Sequence, residues 1–348
     1  MRNDLTDIKS LTADELRQEL EKHDCPSYRA DQLFRWLQQG INGFDEMTNL
    51  PKKFRSLLAA EYRIPRVGIA EKYASRLDET VKYLFRLEDG EFVEAVLMKY
   101  HHGYSICIST QVGCRMGCDF CATGKEGFVR NLYPSEMLGQ IQTAAGDNDI
   151  RISNVVMMGM GEPLDNYDNV LRFLELAGME EGLHIGMRHI SLSTCGIVDR
   201  IYDLADKRLQ LTLSVSLHAP NDEIRQRTMP VAKRWSMDEL LEACKYYSDK
   251  TNRRISFEYA MISGVNDSDE CARELALRLR GIMAHINLIP VNEIKETGYI
   301  RSTKKRLHSF AKAVEAAGFT ATVRRTLGAD IDASCGQLRQ KQKEGAKP

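Results

Sequence analysis

The stretch YSICISTQVGCRMGCDFC, residues 104–121, decides the fold of this chain. It begins as a short β-branched run and ends in a loop with three cysteines in a C-x3-C-x2-C pattern. Six further short runs follow it, each separated from the next by a helical segment: SNVVMMGM (153–160), HISLST (189–194), LQLTLSVSLH (209–218), RISFEYAMI (254–262), HINLIPVN (285–292) and FTATVRR (319–325). Strand–helix alternation of this kind predicts an α/β protein with a parallel sheet or an incomplete barrel, whose ligand site lies where the strands end.

The segment before this alternation predicts a small helical region and a hairpin. LTADELRQELEKHD (11–24) opens with a capping box, Thr12 followed by Glu15, and SYRADQLFRWLQQG (27–40) is amphipathic and ends at a glycine. NLPKKFRSLLAAEY (49–62) predicts a third helix with Asn49 as its cap. Residues 82–99 predict a hairpin turning at Asp89-Gly90. We therefore expect an accessory helical domain over 1–65, a linker and hairpin over 66–102, the α/β core over 103–338 and a basic tail over 339–348.

Composition sets the class of protein. The 348 residues are 43% hydrophobic and 28% charged, as in ordinary globular proteins, and no apolar run approaches the length of a membrane helix. The N-terminus lacks the apolar segment of a signal peptide, so we expect a cytoplasmic protein without a membrane partner. Nine cysteines in such a compartment are expected to be reduced, which favours metal or redox chemistry over a disulfide framework.

The three clustered cysteines, Cys114, Cys118 and Cys121, admit three interpretations. Structural zinc needs four closed ligands, and no fourth thiolate or histidine pair lies nearby in the sequence. A [4Fe–4S] cluster held by three thiolates keeps one iron open for a reactive ligand, and this interpretation fits the pattern best. Unrelated core cysteines are the remaining alternative.

The cysteine loop and four strand ends resemble the radical S-adenosylmethionine enzymes. An aromatic residue precedes the last cysteine, MGMGEP (158–163) resembles the turn that holds the methionyl amine of S-adenosylmethionine, and SLST, SVSLH and LIPVN end later strands. The resemblance implies a partial (βα)6-type radical SAM barrel preceded by the helical domain and the hairpin. It also implies a [4Fe–4S] cluster on the three cysteines and a set of S-adenosylmethionine contacts: Gly161, Glu162, Ser193, Ser216, Leu217, His218 and Asn292.

Two longer strings narrow the resemblance. CISTQVGCRMGCDFCATG (107–124) and RRTLGADIDASCGQL (324–338) are similar to the RlmN-type 23S rRNA adenine C2-methyltransferases, many of which also modify tRNA. The similarity covers nearly the whole chain. A sister group methylates C8 instead and confers antibiotic resistance; C8 is the alternative, and the end of the chain favours C2.

The resemblance assigns roles to three further residues. It makes Cys335 a methyl carrier that is methylated by one S-adenosylmethionine, while a second is cleaved to a radical that takes hydrogen from this methyl group. The resulting methylene radical adds to the adenine ring, and Cys107 resolves the covalent adduct by a transient disulfide with Cys335. Glu94 corresponds to the base that removes the ring proton; the alternative is a solvated hairpin carboxylate like its neighbours Glu88 and Glu91.

The expected partners are 23S rRNA, tRNA and a flavodoxin-like one-electron reductant, with the enzyme itself a monomer. The net charge is −1, so RNA binding would depend on local basic residues. The candidate phosphate contacts are Lys125, Arg130, Arg225, Arg227, Arg301, Lys304, Lys305, Arg306, Arg324 and Arg325, together with Arg29, Arg35, Lys52, Lys53 and Arg55 from the N-terminal helices. A radical enzyme for a small molecule or protein, and a non-enzymatic iron–sulfur carrier, are the competing hypotheses.

Overall fold

The computed structural model describes residues 5–292, 298–331 and 333. The strands there are, in order, β1 (Thr6–Asp7), β2 (Tyr62–Arg63), β3 (Gly68–Ala74), β4 (Val81–Arg86), β5 (Phe92–Tyr100), β6 (Gly103–Cys107), β7 (Gln111–Gly113), β8 (Phe128–Asn131), β9 (Ile152–Met157), β10 (Ile190–Thr194), β11 (Thr212–Ser216), β12 (Ile255–Met261), β13 (Ala284–Pro290) and β14 (Thr320–Val323). The helices are α1 (Ala13–Glu21), α2 (Ser27–Gln38), α3 (Lys52–Glu61), α4 (Ala122–Glu126), α5 (Pro134–Asn148), α6 (Tyr167–Gly178), α7 (Val198–Asp206), α8 (Asp222–Thr228), α9 (Met237–Thr251), α10 (Asp269–Arg278) and α11 (Lys304–Ala316). In these ranges no helix has the length and apolar character needed to span a membrane.

Within the described residues, ten strands form one mixed sheet in the order β14-β13-β12-β11-β10-β9-β6-β5-β4-β3. β6 and β9 to β14 run parallel to one another, while β3, β4 and β5 pair antiparallel. All seven runs that the sequence predicts as strands lie in the parallel part, so the α/β prediction is confirmed. Helices connect the parallel strands and cover the sheet, which buries apolar side chains such as Val155, Leu192 and Phe257.

The predicted hairpin is confirmed and joins the main sheet. β4 and β5 pair antiparallel, and Gly90, with φ at +87°, lies in the turn between them. β5 also pairs with β6, so the hairpin extends the parallel sheet instead of standing apart from it. Because side chains alternate along a strand, Glu94, Val96 and Met98 share one face of β5.

The three predicted N-terminal helices are confirmed as α1, α2 and α3. Thr12 and Glu15 form the expected capping box: the Glu15 N–H donates to Thr12 Oγ1, and the Thr12 N–H donates to Glu15 Oε2. The prediction of Asn49 as the cap of α3 is wrong, since Pro51 occupies that position. Asn49 Oδ1 instead accepts the indole N–H of Trp36 at 2.6 Å, which ties the entry of α3 to α2.

The N-terminal region is docked on α5 through buried polar contacts. Ser135 Oγ donates to Asp7 Oδ2 at 2.5 Å, and Gln142 Nε2 donates to the carbonyl oxygen of Leu37 at 3.1 Å. A Cβ at Gly139 of α5 would lie 2.5 Å from Val67 Cγ2, so glycine there permits the close approach. These contacts hold the helical region against the same helix that follows the cysteine loop and β8.

Candidate active site

A cavity of about 340 Å³ opens where the parallel strands end. Ser193 of β10, Ser216 of β11, Ala260 of β12 and Pro290 of β13 lie along its wall. The three cysteines also line it, as do all but one of the predicted S-adenosylmethionine contacts. The exception is Leu217, whose side chain lies in the core and whose backbone N–H donates to the carbonyl oxygen of Glu258.

The cysteine loop is shaped by glycines between β7 and β8. Gly113 has φ at +74°, and a Cβ there would lie 1.9 Å from the carbonyl oxygen of Gly127, so only glycine fits. The backbone N–H of Cys114 donates to that same carbonyl at 2.8 Å. A Cβ at Gly124 would lie 3.1 Å from the carbonyl oxygen of Cys118, so α4 packs closely against the loop. The three thiols are therefore presented from a tightly closed turn.

The electrostatics of the cysteines fit a metal cluster. Burial raises the pKa of Cys114 to about 12 and raises that of Cys118 further, and the neighbouring thiols add to the shift in Cys118. Thiolates at such positions need a metal to hold their charge. No three histidine, cysteine or carboxylate groups within the described ranges come close enough to hold a single ion. A cubane does not need the three thiolates to converge on one ion, because each thiolate binds a different iron.

Arg225 supplies a buried positive charge beside the cysteines. Its side chain is fully buried, its Nη2 donates to the carbonyl oxygen of Cys195 at 2.6 Å, and its charge acts on Cys118. Its Nε and Nη1 have no hydrogen-bond partner among the described atoms. An iron–sulfur cluster with three thiolates is anionic, so a buried guanidinium with spare donors fits such a group. The prediction that Arg225 contacts phosphate is wrong, because the side chain is out of reach of a surface ligand.

Glu162 joins two strand ends below the cavity. Its Oε1 accepts the N–H of Leu164 at 3.0 Å and its Oε2 accepts the N–H of Cys195 at 2.7 Å, while burial raises its pKa. Gly161, at φ +97°, packs against Gln111: a Cβ there would lie 2.5 Å from the Gln111 Cβ. The turn therefore offers backbone groups and one carboxylate to a ligand from a fixed position.

His218 is a buried, neutral side chain in the cavity wall. The backbone of His218 has a φ of +57°, in the left-handed region. The imidazole ring packs edge-on against the ring of Phe120 in the cysteine loop, with 4.7 Å between the ring centroids. Burial lowers its pKa to about 3, with Arg225 as a second cause. Since Nδ1 accepts the N–H of Ala260 at 2.9 Å, Nε2 carries the ring proton and is a donor.

Glu258 is a buried carboxylate in the cavity wall that the sequence patterns did not single out. It lines the cavity from β12, where its carboxylate accepts the Ser256 hydroxyl at 2.9 Å and Asn287 Nδ2 at 2.7 Å. Burial raises its pKa, and Arg324 opposes that shift. The available signal was a single charged residue inside the apolar run SFEYAM of a predicted buried strand.

Glu94 and Cys107 lie on neighbouring strands behind the cavity wall. Cys107 of β6 pairs directly with Val96 of β5, and Val96 lines the cavity. Glu94 is only 4% exposed, so its interpretation as a solvated hairpin carboxylate is wrong. Its Oε1 lies 3.4 Å from Nζ of the fully buried Lys82. Burial raises the pKa of the Cys107 thiol, Arg324 lowers it and Glu94 raises it.

The segment after β14 crosses the mouth of the cavity. Arg324, Arg325 and Ala333 line it, and two contacts anchor the segment to the β3–β4 turn. The N–H of Gly328 donates to Asp78 Oδ2 at 2.9 Å, and Ser75 Oγ donates to Asp330 Oδ1 at 2.6 Å. Cys335 lies outside the described residues.

Several other candidate phosphate contacts are paired with carboxylates. The pairs are Lys125 with Asp119, Arg130 with Asp89 and Glu136, Arg227 with Glu223, and Arg306 with Asp269. Arg301, Arg324 and Arg325 line the cavity itself. Among the predicted RNA contacts, these three therefore lie closest to the chemistry.

Comparison with known proteins gives one consistent pattern. Residues 108–276 match the radical SAM superfamily, and residues 6–64 match the ribosomal RNA large subunit methyltransferase N-terminal domain. The chain is 52% identical over 335 residues to a protein of Alkaliphilus oremlandii named "Probable dual-specificity RNA methyltransferase RlmN", covering 96% of this chain and 98% of that one. It is 50% identical to the protein of the same name from Clostridium novyi, with 97% and 98% covered.

A solved structure agrees with these matches. The crystal structure of a radical SAM methyltransferase from Sphaerobacter thermophilus superposes with a TM-score of 0.91 at 42% identity. The match covers 95% of this chain and 98% of that chain. The N-terminal helices, the hairpin and the parallel strands thus recur together in a relative.

Proposed function

Because the chain belongs to the RlmN family of dual-specificity RNA methyltransferases, within the radical SAM superfamily, we propose that it methylates C2 of adenosine in 23S rRNA and in tRNA. The observation that carries the proposal is the cavity itself. It combines three clustered cysteines, polar strand ends and three arginines, Arg301, Arg324 and Arg325, with Glu94 and Cys107 on the neighbouring strands β5 and β6. The RlmN name of relatives at 50–52% identity supports C2 over the C8 of the sister enzymes.

The cofactors are those of the superfamily, a [4Fe–4S] cluster and S-adenosylmethionine. Cys114, Cys118 and Cys121 hold the cluster, and the buried Arg225 balances its charge. When bound, the two groups supply a 5′-deoxyadenosyl radical, after a flavodoxin-like protein has provided one electron. The chain's part is to bind, orient and exclude water.

S-adenosylmethionine is held by the strand ends. The turn at Gly161 and Glu162 receives the methionyl amine, and Ser193, Ser216 and Asn292 offer hydroxyl and amide groups from the cavity wall. His218 offers its Nε2–H, while the neighbouring backbone at Leu217 links β11 to β12. Two molecules of S-adenosylmethionine are used per turnover, one as methyl donor and one as radical source.

Cys335 carries the methyl group to the RNA. Ala333, which lines the cavity, precedes Cys335 by two residues in the chain and supports this role. Its methylene carbon bonds to C2 of adenine. After C2 has lost its proton, the adduct gives up its unpaired electron, for which a bound cluster would be the acceptor. The Cys107 thiolate then attacks the Cys335 sulfur: a disulfide forms, the carbon–sulfur bond breaks, and its electron pair takes up a proton to complete the methyl group on C2.

Glu94 takes the proton from C2. Its burial behind the cavity wall, beside Val96, supports this role over that of a surface carboxylate. A general base in an enclosed site needs a fixed orientation, and the strand pairing provides it. The charge of Glu94 helps to raise the pKa of the neighbouring Cys107 thiol.

RNA binds across the N-terminal helices and the mouth of the cavity. The match of residues 6–64 to the ribosomal RNA methyltransferase N-terminal domain supports the first, and Arg301, Arg324 and Arg325 support the second. The target adenine must be unstacked before its C2 can meet Cys335. Phosphate contacts predict that affinity falls as salt rises.

Mass spectrometry of the iron-replete protein and its RNA product tests the proposal. One extra methylene mass is expected on the peptide with Cys335, absent in Cys114→Ala and retained in Cys195→Ala. Digested 23S rRNA and tRNA should contain 2-methyladenosine. An unmodified Cys335 in cluster-loaded protein, or 8-methyladenosine as the product, would contradict it.

A further inference from the structure

We propose that Lys82 of β4 is the positioning residue for Glu94, holding its carboxylate in a fixed orientation beside the residues that line the cavity. The inference rests on the proposed function, since it takes Glu94 to be the base. It adds a residue that neither the cysteine motif nor the strand-end motifs point to.

The register of the sheet brings the two side chains together. Leu84 pairs with Glu94 and Lys82 pairs with Val96 across β4 and β5, so Lys82 and Glu94 are diagonal neighbours on one face. Nζ of Lys82 lies 3.4 Å from Oε1 of Glu94. Val96, between them on the sheet, lines the cavity. The pair therefore lies on the same face of the sheet as Val96 and next to it, although neither member lines the cavity itself.

The stability of the folded protein does not explain why the Lys82–Glu94 ion pair is buried. Burying an ammonium and a carboxylate costs hydration that their attraction barely offsets, and a well-packed apolar pair is often as stable or more so. β4 itself shows the alternative, because Tyr83 and Phe85 are fully buried on its opposite face. A charged pair on the face that includes Val96 is better explained by a need for a carboxylate in a fixed orientation there.

The surrounding groups belong to three other elements. The Cys107 thiol faces the pair from β6, and Arg324 acts on that thiol from the segment after β14. Ser109 Oγ donates to the Glu94 carbonyl oxygen at 2.7 Å and fixes the backbone there. In the proton transfer, the C2 proton moves to a Glu94 oxygen, its electron pair stays on the ring, and Lys82 remains an ammonium. No oxidant or reductant enters this step.

The test compares Lys82→Met with Lys82→Arg in the cluster-loaded enzyme. Without the ammonium, the Glu94 carboxylate loses the partner that fixes its orientation, so Lys82→Met should lower RNA methylation about a hundredfold. S-adenosylmethionine cleavage and methylation of Cys335 should persist, and the covalent protein–RNA adduct should accumulate on denaturing gels. Lys82→Arg should restore most of the rate. Lys9→Met, which removes a buried lysine that does not line the cavity, is the matched control and should keep the wild-type rate.

A second comparison guards against a variant that fails to fold. Glu94→Gln and the double variant Glu94→Gln/Lys82→Met should show the same residual rate, since Lys82 acts through Glu94, and the double variant leaves no lone buried charge in the pair. A wild-type rate in Lys82→Met, or a further tenfold loss in the double variant, would overturn the inference. Absence of methylated RNA from the wild-type enzyme would instead contradict the proposed function.

Discussion

The backbone N–H of Ala260 donates to Nδ1 of His218 at 2.9 Å and so decides which side of the imidazole can face a ligand as a donor. A strand-end amide of β12 thus sets the tautomer of a residue that follows β11. The left-handed backbone of His218 is what turns the ring into position, since its φ is +57°.

Replacing His218 with asparagine should weaken S-adenosylmethionine binding. Asparagine tolerates the left-handed backbone but lacks the Nε2–H donor, so the dissociation constant should rise about threefold to tenfold, the worth of one net hydrogen bond. Anaerobic titration calorimetry measures this. His184→Asn is the matched control, because His184 is also left-handed, with φ at +52°, and is exposed outside the cavity. Equal affinities for the wild type and His218→Asn would exclude a cofactor contact.

The same histidine should make the protein sensitive to acid. Its pKa falls from 6.5 to about 3 on burial, so the unfolded chain binds a proton between these values and the folded chain does not. Stability is therefore lost as pH falls below about 6.5, by about 2 kcal/mol at pH 5. Thermal unfolding at pH 7 and pH 5 should show a smaller acid loss for His218→Asn than for wild type. A parallel loss in both proteins would show that His218 is not buried as a neutral group.

Periodicity predicted the seven parallel strands and the edge at which their polar ends meet, because side-chain alternation and strand–helix order are local properties. Periodicity could not show which of the acidic residues of the hairpin is buried. Glu88, Glu91 and Glu94 look alike in sequence, yet Glu88 is exposed, whereas Glu94, which pairs with Leu84 of β4, is buried. Burial of one residue in a sheet depends on its register with strands far along the chain.

Arg225 shows the same limit in a helix. It follows a strand end and resembles a phosphate ligand in sequence, yet α8 turns it inward beside Cys118. Its neighbour Arg227 is exposed and paired with Glu223. Which of two arginines points inward is set by how α8 packs on the cysteine loop, and the motif itself carries no such information.

Replacing Cys118 should lower the iron content of the protein sharply, whereas replacing Cys195 should not. They lie close enough for the Cys118 charge to raise the Cys195 pKa, after the larger effects of burial and of Glu162. Both line the cavity, but Cys195 is buried and packs with Met229 and Val231, whereas Cys118 is partly exposed and lies in the C-x3-C-x2-C loop. Cys118→Ala should lose nearly all cluster iron and sulfide, and Cys195→Ala should retain them by iron and sulfide analysis. Iron loss in Cys195→Ala alone would reassign the ligand set.

Arg225 should raise the reduction potential of the cluster. Removing a positive charge near an iron–sulfur centre makes the added electron less favourable, so Arg225→Met should shift the potential to a more negative value. Methionine fills similar volume without a charge, which limits the structural cost. A redox titration followed by electron paramagnetic resonance measures the shift, with Arg227→Met as the control. An unchanged potential in folded, iron-loaded Arg225→Met would remove Arg225 from the cluster's environment.

Gly161 should be intolerant of a side chain for reasons of space as well as conformation. Alanine there would adopt φ +97° and would bring its Cβ within 2.5 Å of Gln111 Cβ, so it should cost about 2–4 kcal/mol, distort the turn and weaken the S-adenosylmethionine binding proposed for it. An alanine at Gly90 measures the cost of backbone strain without a steric clash, because Gly90 has φ at +87° and a Cβ added to it would meet nothing within 4 Å. Gly90→Ala should therefore cost about 1–2 kcal/mol and leave S-adenosylmethionine affinity unchanged. Denaturant unfolding and cofactor titration of both variants measure the two effects. Equal stability losses and equal affinities would mean that the Gly161 turn can yield, and that its contact with Gln111 does not hold the cofactor site in place.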